Sequence, residues 1–556
     1  MVITSVAEAK EESMRTRHEV SDDKLRGGFY SPDVLVELCI RRSAELLGGR
    51  SDLRVLEPSA GDGAFLRGVG RSDMAGRIQA VEAVEIFAGE ATKAADALNS
   101  AGMQGRVVNQ NVLQWSQGRG SDFDWVLANP PYVRFQFISD EDKQRAKEIS
   151  AGLGVAGTSV SNLWIPVFLL SLSKLRDGGV FSVILPTEFL TGISANAVRN
   201  WLLANTTDLT IDLFEPGSFP SVLQEVLILS GRASKGATAP SEIQFRDHNS
   251  GTRSWSHMVT AASGTWTNYL LLPEQNDALA AVKSISSVKS LSSVARFSVS
   301  TVTGANGYFC VDSTKVKAYG LEEWAIPLLP RSRHAEGLVY TSVEQQALAD
   351  ASQPAWLLSF AATKSSPEAH ELAQQYLEDG VGLEIDQRFK CRVRAPWYRV
   401  PVVPPGDLLL SKRSNRYPRV ISNHAKVVTT DTIYKGQILA GSPITADDFT
   451  AAFHNSLTML SAEVEGRSFG GGVLELVPSE VNALQVPIVP GAASGLARLD
   501  KISRASDDPE VLIEATDEAL TRLIPALDAQ TMTALSDARH TLMNRRLQRT
   551  HSKFYS

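Results

Sequence analysis

From Val55 to about Ser230 the sequence repeats one alternation, a short β-rich run followed by a longer segment of helical character. The runs are RVLEP, IQAVEAVEI, RVVNQN, FDWVLANP, VFSVILP, TIDLF and EVLILSG. Parallel neighbours need crossovers long enough to hold a helix, so this rhythm predicts a doubly wound α/β domain with a mainly parallel, seven-stranded sheet. Only Glu215 to Gln224 separates the last two runs, which is too short for such a crossover, and the final strand should therefore pair antiparallel.

The chain has 556 residues, enough for about two to four domains. Residues 1–24 read as a loose polar arm, and 25–235 as the α/β domain. The small-residue stretch Gly231 to Ser241 marks a boundary. Residues 236–500 lose the strict alternation and read as a separate mixed α+β domain, and 501–556 read as a helical tail whose basic last segment is frayed. With 43% hydrophobic and 21% charged residues the composition is that of a globular protein, against long disorder, collagen or coiled coil. Lys and Arg number 55 against 62 Asp and Glu, so any nucleic-acid contact must come from a local patch. Cys39, Cys310 and Cys391 lie far apart without CxxC spacing, which predicts neither a zinc site nor a disulfide framework and fits a reducing compartment. The longest apolar run, Leu163 to Leu172, is shorter than the roughly 18 residues of a membrane span, and the N-terminus lacks a signal core. A soluble, cytoplasmic protein is expected.

Two turns carry chemistry. In VLEPSAGDGAFL, Val55 to Leu66, a strand enters a small-residue turn. Gly61 and Gly63 there permit close backbone approach to a ligand, and Glu57 stands at the carboxyl end of the strand, where open α/β sheets bind ligands. Glu85 ends the next strand, a place suited to ribose hydroxyls, with Glu82 as a competitor. Asn129-Pro130-Pro131-Tyr132 closes the fourth run; the prolines remove two donors, so the turn offers carbonyl acceptors beside an amide. An amino group conjugated to a ring is a poor nucleophile, because its lone pair is delocalised. Asn129 and the Pro130 carbonyl suit it by holding its hydrogens, while Tyr132 stacks on the ring. Either turn also has a purely structural reading.

Taken in order, RGGFYSP (Arg26 to Pro32), the Glu57 to Leu66 segment, Glu85, Asn111, Asn129 to Tyr132 and Phe219-Pro220 resemble the gamma-class, TaqI-like adenine-N6 DNA methyltransferases over about residues 25–232. The resemblance implies an S-adenosylmethionine site formed by Tyr30, Ser31, Glu57, Ser59, Gly61, Gly63, Glu85, Asn111, Val112 and Asn129. It implies that Glu85 binds ribose and that Phe219 touches a flipped base beside Asn129, Pro130 and Tyr132. The position matching Asn111 is usually Asp; an Asn oxygen still accepts a hydrogen bond but brings no charge. Val133 to Ser161, with Arg134, Phe135 and Phe137, reads as a lid or DNA-facing loop, or else as a connecting helix with loops.

Residues 236–500 resemble, more loosely, the family's DNA target-recognition domains: VSTVTGANGYF, CRVRAPWYRVP and RSFGGGVLELVPSEV look like segments of restriction-associated methyltransferases. Arg388 to Lys435 holds eleven Lys and Arg against Asp407 and Asp431, interleaved with Trp397, Tyr398, Tyr417 and Tyr434. Arg392, Arg394, Arg399, Lys412, Arg413, Arg416 and Arg419 are the expected DNA contacts. The resulting expectation is a monomeric, metal-independent restriction-modification enzyme acting on double-stranded DNA, with any cognate endonuclease encoded separately, since only some 25 residues precede the first motif. The same fold could instead methylate cytosine N4, RNA or a protein glutamine, or serve as a non-catalytic DNA-binding subunit.

Overall fold

The structure of the protein, a computed structural model, describes residues 31–215, 225–236, 241–249, 252–260, 264–361, 364–469 and 472–548. The expected arm at 1–24 lies outside them. The chain divides into two compact units, Met1–Pro273 and Glu274–Ser556.

The first unit is built on a sheet of nine strands: β1 (Leu53–Glu57), β2 (Ile78–Glu85), β3 (Gly105–Asn109), β4 (Phe123–Ala128), β5 (Leu175–Pro186), β6 (Thr206–Leu213), β7 (Val226–Ala233), β8 (Ser241–Asp247) and β9 (Arg253–Val259). Their order is β3-β2-β1-β4-β5-β7-β6-β8-β9. The first five pair in parallel, and β7 runs antiparallel between β5 and β6, as the short β6–β7 connection requires. Every residue of β4 is buried, the mark of a central strand covered on both faces. Helix Asp33–Leu47 lies on β5 and β7, and helix Trp164–Ser173, apolar nearly throughout, packs on β4 and β5. A buried ion pair joins helix to sheet: Arg42 lies 2.8 Å from Asp212 on β6, whose carboxylate also meets His248 at 2.7 Å.

The sheet does not end with its seventh strand. Strand β8 pairs parallel with β6 from Leu209↔Ile243 onward, and β9 closes the edge antiparallel. Ile243, Phe245 and Val259 enter the same core, and Trp255 stacks on Phe245 at 5.8 Å. The expected boundary after residue 235 therefore falls within this unit, and the small-residue stretch connects two of its strands.

The second unit is mixed α+β. Ala295–Ser298, Ile433–Ile438, Leu408–Ser411, Val420–Asn423 and Val339–Tyr340 form a five-stranded sheet in that order, with four- and three-stranded sheets beside it. The expected separate tail is instead part of this core. Helices Pro509–Leu523 and Ala529–Leu547 contribute Ile513 and Met543 to the cluster around Phe449, Met459 and Leu474. Nor is the basic segment frayed as far as residue 548: Arg546 is buried, donates to Glu463 at 2.6 and 2.9 Å, and reaches the carbonyls of Asn415 and Arg416 at 2.6 and 2.8 Å. Among the described residues, no helix is long and apolar enough to cross a membrane.

Candidate active site

Because β1, β2 and β4 are parallel, Glu57, Glu85 and Asn129 emerge at one edge of the sheet. There the strand order turns back between β1 and β4, the place where open α/β sheets bind ligands. The turn after β1 uses two glycines differently. At Gly63, φ is +84° and a Cβ would come within 2.9 Å of Ala94 Cα, so that glycine lets helix Ala88–Ser100 pack closely. At Gly61, φ is +53° and a Cβ would meet nothing within 4 Å, leaving the backbone open to a ligand. The Gly61 N–H donates to Glu85 Oε2 and the Phe87 N–H to Glu85 Oε1, each at 2.9 Å. Glu82 is engaged elsewhere, accepting from Trp115, Arg106 and Arg119, so Glu85 is the carboxylate that faces the glycine turn.

Glu57 is 2% exposed, and its Oε2 has no hydrogen-bond partner. Burial, and after it the charges of Asp62 and Glu85, push its carboxyl well above the usual carboxylate range, against the opposing pull of Arg67. A buried acceptor left open at the ligand edge of a sheet is suited to a cationic or hydrogen-bonding guest.

The turn after β4 adjoins this pocket. Ser59 Oγ donates to the Asn129 carbonyl at 3.0 Å, and Asn129 Nδ2 donates to Ser31 Oγ at 3.1 Å. Asn129 Oδ1 accepts from the Tyr132 hydroxyl at 3.0 Å, and that hydroxyl also approaches the Ile184 carbonyl at 3.0 Å. Burial raises the Tyr132 pKa, which keeps the hydroxyl a donor. An amide oxygen has two lone pairs, so accepting from Tyr132 leaves it able to accept an amino group as well. Pro130 is buried and Pro131 half-buried beside it. The Tyr132 ring does not offer the open stacking face expected of it. It is 9% exposed and packs in the core, because its apolar ring and its hydroxyl are both satisfied there.

Asn111 caps the short helix Val112–Trp115, its Oδ1 accepting from the Leu113 N–H at 2.9 Å. Its Nδ2 donates to Asp142 Oδ1 at 2.8 Å, bringing a carboxylate beside the position where the resemblance leads one to expect a charge. The sequence reading missed Asp142; Ser139, three residues earlier, forms with it an N-cap that announces helix Asp140–Gly152. Of the two readings of Val133 to Ser161, the connecting helix with loops is the one observed: this helix is flanked by short turns. Tyr30 and Phe219 lie outside the described residues. Strand β6 ends and β7 begins at the sheet edge that carries Asn129.

The seven cationic residues of the second unit differ in what already engages them. Arg394 donates to the Thr303 and Val302 carbonyls at 2.7 and 2.8 Å. Arg413 pairs with Glu475 at 2.9 Å, Lys412 approaches the same carboxylate at 3.6 Å, and Arg416 pairs with Asp508 at 2.8 Å. Arg419 is bound to the carbonyls of Ser332, Glu336 and Gly337, and burial lowers its pKa. Arg392 and Arg399 are exposed. The interleaved aromatics serve the core: Tyr398, Tyr417 and Tyr434 are buried, and Trp397 lies against Tyr308 and Tyr398.

Residues 85–219 match the family model of the Eco57I restriction-modification methylase, and residues 263–521 match that of the C-terminal domain of Type II methyltransferase M.Eco57I. Both models describe restriction-modification methylases, and together they support that reading of the chain. Among similar proteins, Type II methyltransferase M.AccI of Acinetobacter calcoaceticus is 23% identical over 460 residues, covering 79% of this chain and 81% of its own. Type II methyltransferase M.XamI of Xanthomonas campestris pv. amaranthicola is 21% identical over 475 residues, covering 83% and 85%. Among solved structures, the Type IIL restriction-modification enzyme MmeI in complex with DNA is 14% identical, with a TM-score of 0.48, over 98% of this chain and 74% of its own.

Proposed function

We propose that this methylase transfers a methyl group from S-adenosylmethionine to the exocyclic N6 amino group of adenine in double-stranded DNA, as the modification enzyme of a restriction-modification system. The observation that carries the reading is the contact of the two turns: Ser59 of the glycine turn is hydrogen-bonded to Asn129 of the acceptor turn, so donor pocket and acceptor site adjoin. When bound, S-adenosylmethionine supplies an electrophilic methyl group on a sulfonium centre.

The residues present fit that cofactor. Its amino-acid end answers the open Oε2 of Glu57 and the uncovered backbone at Gly61; Glu85, which already accepts two backbone N–H groups, retains lone pairs for ribose hydroxyls. We assign Asn111 and Val112 to the end meant for the purine, with Asp142 orienting the Asn111 amide, and Ser31 and Tyr30 to its cover. Asn129 Oδ1 and the Pro130 carbonyl hold the hydrogens of the target amine and turn its lone pair toward the methyl carbon. Tyr132 acts through Asn129, fixing the amide by its hydroxyl. An adenine inside a duplex must first be swung out, at a cost of a few kcal/mol. Phe219 is the residue we assign to hold the base edge. Holding both partners in register accounts for the rate gain by proximity.

Methylation of duplex DNA with labelled S-adenosylmethionine, followed by nucleoside analysis, tests the reading. Label in N6-methyladenine is the expected result. Label in N4-methylcytosine, or none in DNA, would refute it.

A further inference from the structure

The second unit carries an exposed aromatic where one would not be left for stability. Phe389, first residue of the short helix Phe389–Arg392, is 63% exposed, and Val393 beside it is 66% exposed. Both sit in RFKCRVRAPWYR, Arg388 to Arg399, which holds five Lys and Arg and no acid. Lys390 Nζ lies 5.6 Å and the Arg392 guanidinium 5.5 Å from the centre of the Phe389 ring, so the apolar tip is flanked by cations.

The tip is rigidly mounted. Cys391, between the two cations, is fully buried, with its Sγ 3.8 Å from the Thr303 carbonyl. Arg394 fastens the next residues to the carbonyls of Val302 and Thr303. At Gly304, φ is +81° and a Cβ would come within 2.6 Å of Lys390 Cβ, so the two segments are as close as a glycine allows. The supporting loop itself exposes Val299 and Val302, at 43% and 36%.

We propose that Phe389, with Arg388, Lys390 and Arg392 around it, is a wedge that enters the base stack of a DNA duplex while the cations lie on the flanking phosphates. The inference rests on the reading of the chain as a DNA methylase. Exposed apolar surface ringed by charge marks an interaction site, and the sign of the ring selects a polyanion. A polyanion with an apolar interior between its charges is a stacked duplex, and an aromatic side chain pushed between base steps unstacks and kinks it. An enzyme that must extract a base gains from a duplex whose stacking is already interrupted.

The test compares the full chain with Phe389→Ala, Phe389→Trp and the triple variant Arg388→Gln/Lys390→Gln/Arg392→Gln. It reads duplex binding over a salt series and duplex bending by end-to-end energy transfer. All four side chains are exposed, so melting curves should coincide. Phe389→Ala should lose about tenfold in affinity, within the range for one aromatic–base stack, and lose the bend, with its salt dependence unchanged. Phe389→Trp should keep both. The triple variant should flatten the salt slope by about two to three. Wild-type affinity and bend in Phe389→Ala would overturn the wedge, as would a Phe389→Ala defect confined to capture of a protein partner. If the wild-type chain methylates DNA and the wedge variants behave as wild type, only this inference fails; if the wild-type chain does not methylate DNA, the functional reading fails with it.

Discussion

Replacing Glu57 by Gln should make the free protein more stable while impairing it as a cofactor-binding protein. The carboxylate is 2% exposed, has an oxygen without a partner, and sits near Asp62 and Glu85. Its folded pKa lies above the unfolded value, so the folded state holds its proton more tightly, and stability falls as pH rises from the unfolded value through the folded one. Above the unfolded value the group opposes folding, because it must either keep a proton that the unfolded chain releases or bury a charge. Each pH unit through which the folded state keeps a proton that the unfolded chain has released costs about 1.4 kcal/mol, a cost that an uncharged amide does not carry, and for a domain of this size each kcal/mol moves the melting temperature by about 2–4 °C. Glu57→Gln should therefore melt a few degrees higher than wild type without ligand, and its stability should vary less with pH. Saturating S-adenosylmethionine reverses the order: at a hundred times Kd a ligand adds about 2.7 kcal/mol, which wild type should gain and the variant should largely forgo. Thermal unfolding at several pH values, with and without cofactor, measures both effects. A variant that melts below wild type without ligand would refute the argument, since it would mean that the carboxylate is already well satisfied.

Asn129→Ala should lower single-turnover methyl transfer by about two orders of magnitude, the size found for a preorganised hydrogen-bonding group at a reacting centre, with cofactor affinity by calorimetry nearly unchanged. Arg546→Leu breaks the buried pair with the Glu463 carboxylate and should cost about 3–5 kcal/mol in unfolding experiments; Arg546→Leu/Glu463→Leu should recover part of that loss. Neutralising Arg392 and Arg399 together should reduce the salt slope of DNA binding by about two. Arg419→Met should leave that slope alone and lower the melting temperature, because its guanidinium is spent on carbonyls.

Strands β1 to β7 are legible in the sequence because each is a compact apolar run bounded by turn residues. Strands β8 and β9 are not: SEIQFRD and RSWSHMV alternate apolar and polar residues around Ile243, Phe245 and Trp255, and they follow a stretch that reads as a linker. The ligand edge is legible because its turns follow directly on strands. What the sequence withholds there is orientation, such as Glu85 rather than Glu82 toward the glycine turn, or the Tyr132 ring packed inward. The second unit is harder still, with many strands of two to five residues whose partners lie far off in the chain. Local charge misleads for the same reason: the carboxylates that engage Arg413, Arg416 and Arg546 come from Glu475, Asp508 and Glu463, and no window around the basic residues contains them.

The seating of Arg546 bears on how such proteins can be recombined. Its guanidinium ties the last described helix to backbone at Asn415 and Arg416, and to the Gly472 carbonyl in another hairpin. A chimera that exchanges the second unit between relatives must then carry that helix with the hairpins it braces. A graft ending near residue 500 would sever the brace, whereas a seam at Pro273, where the two compact units divide, moves brace and hairpins together as one cassette.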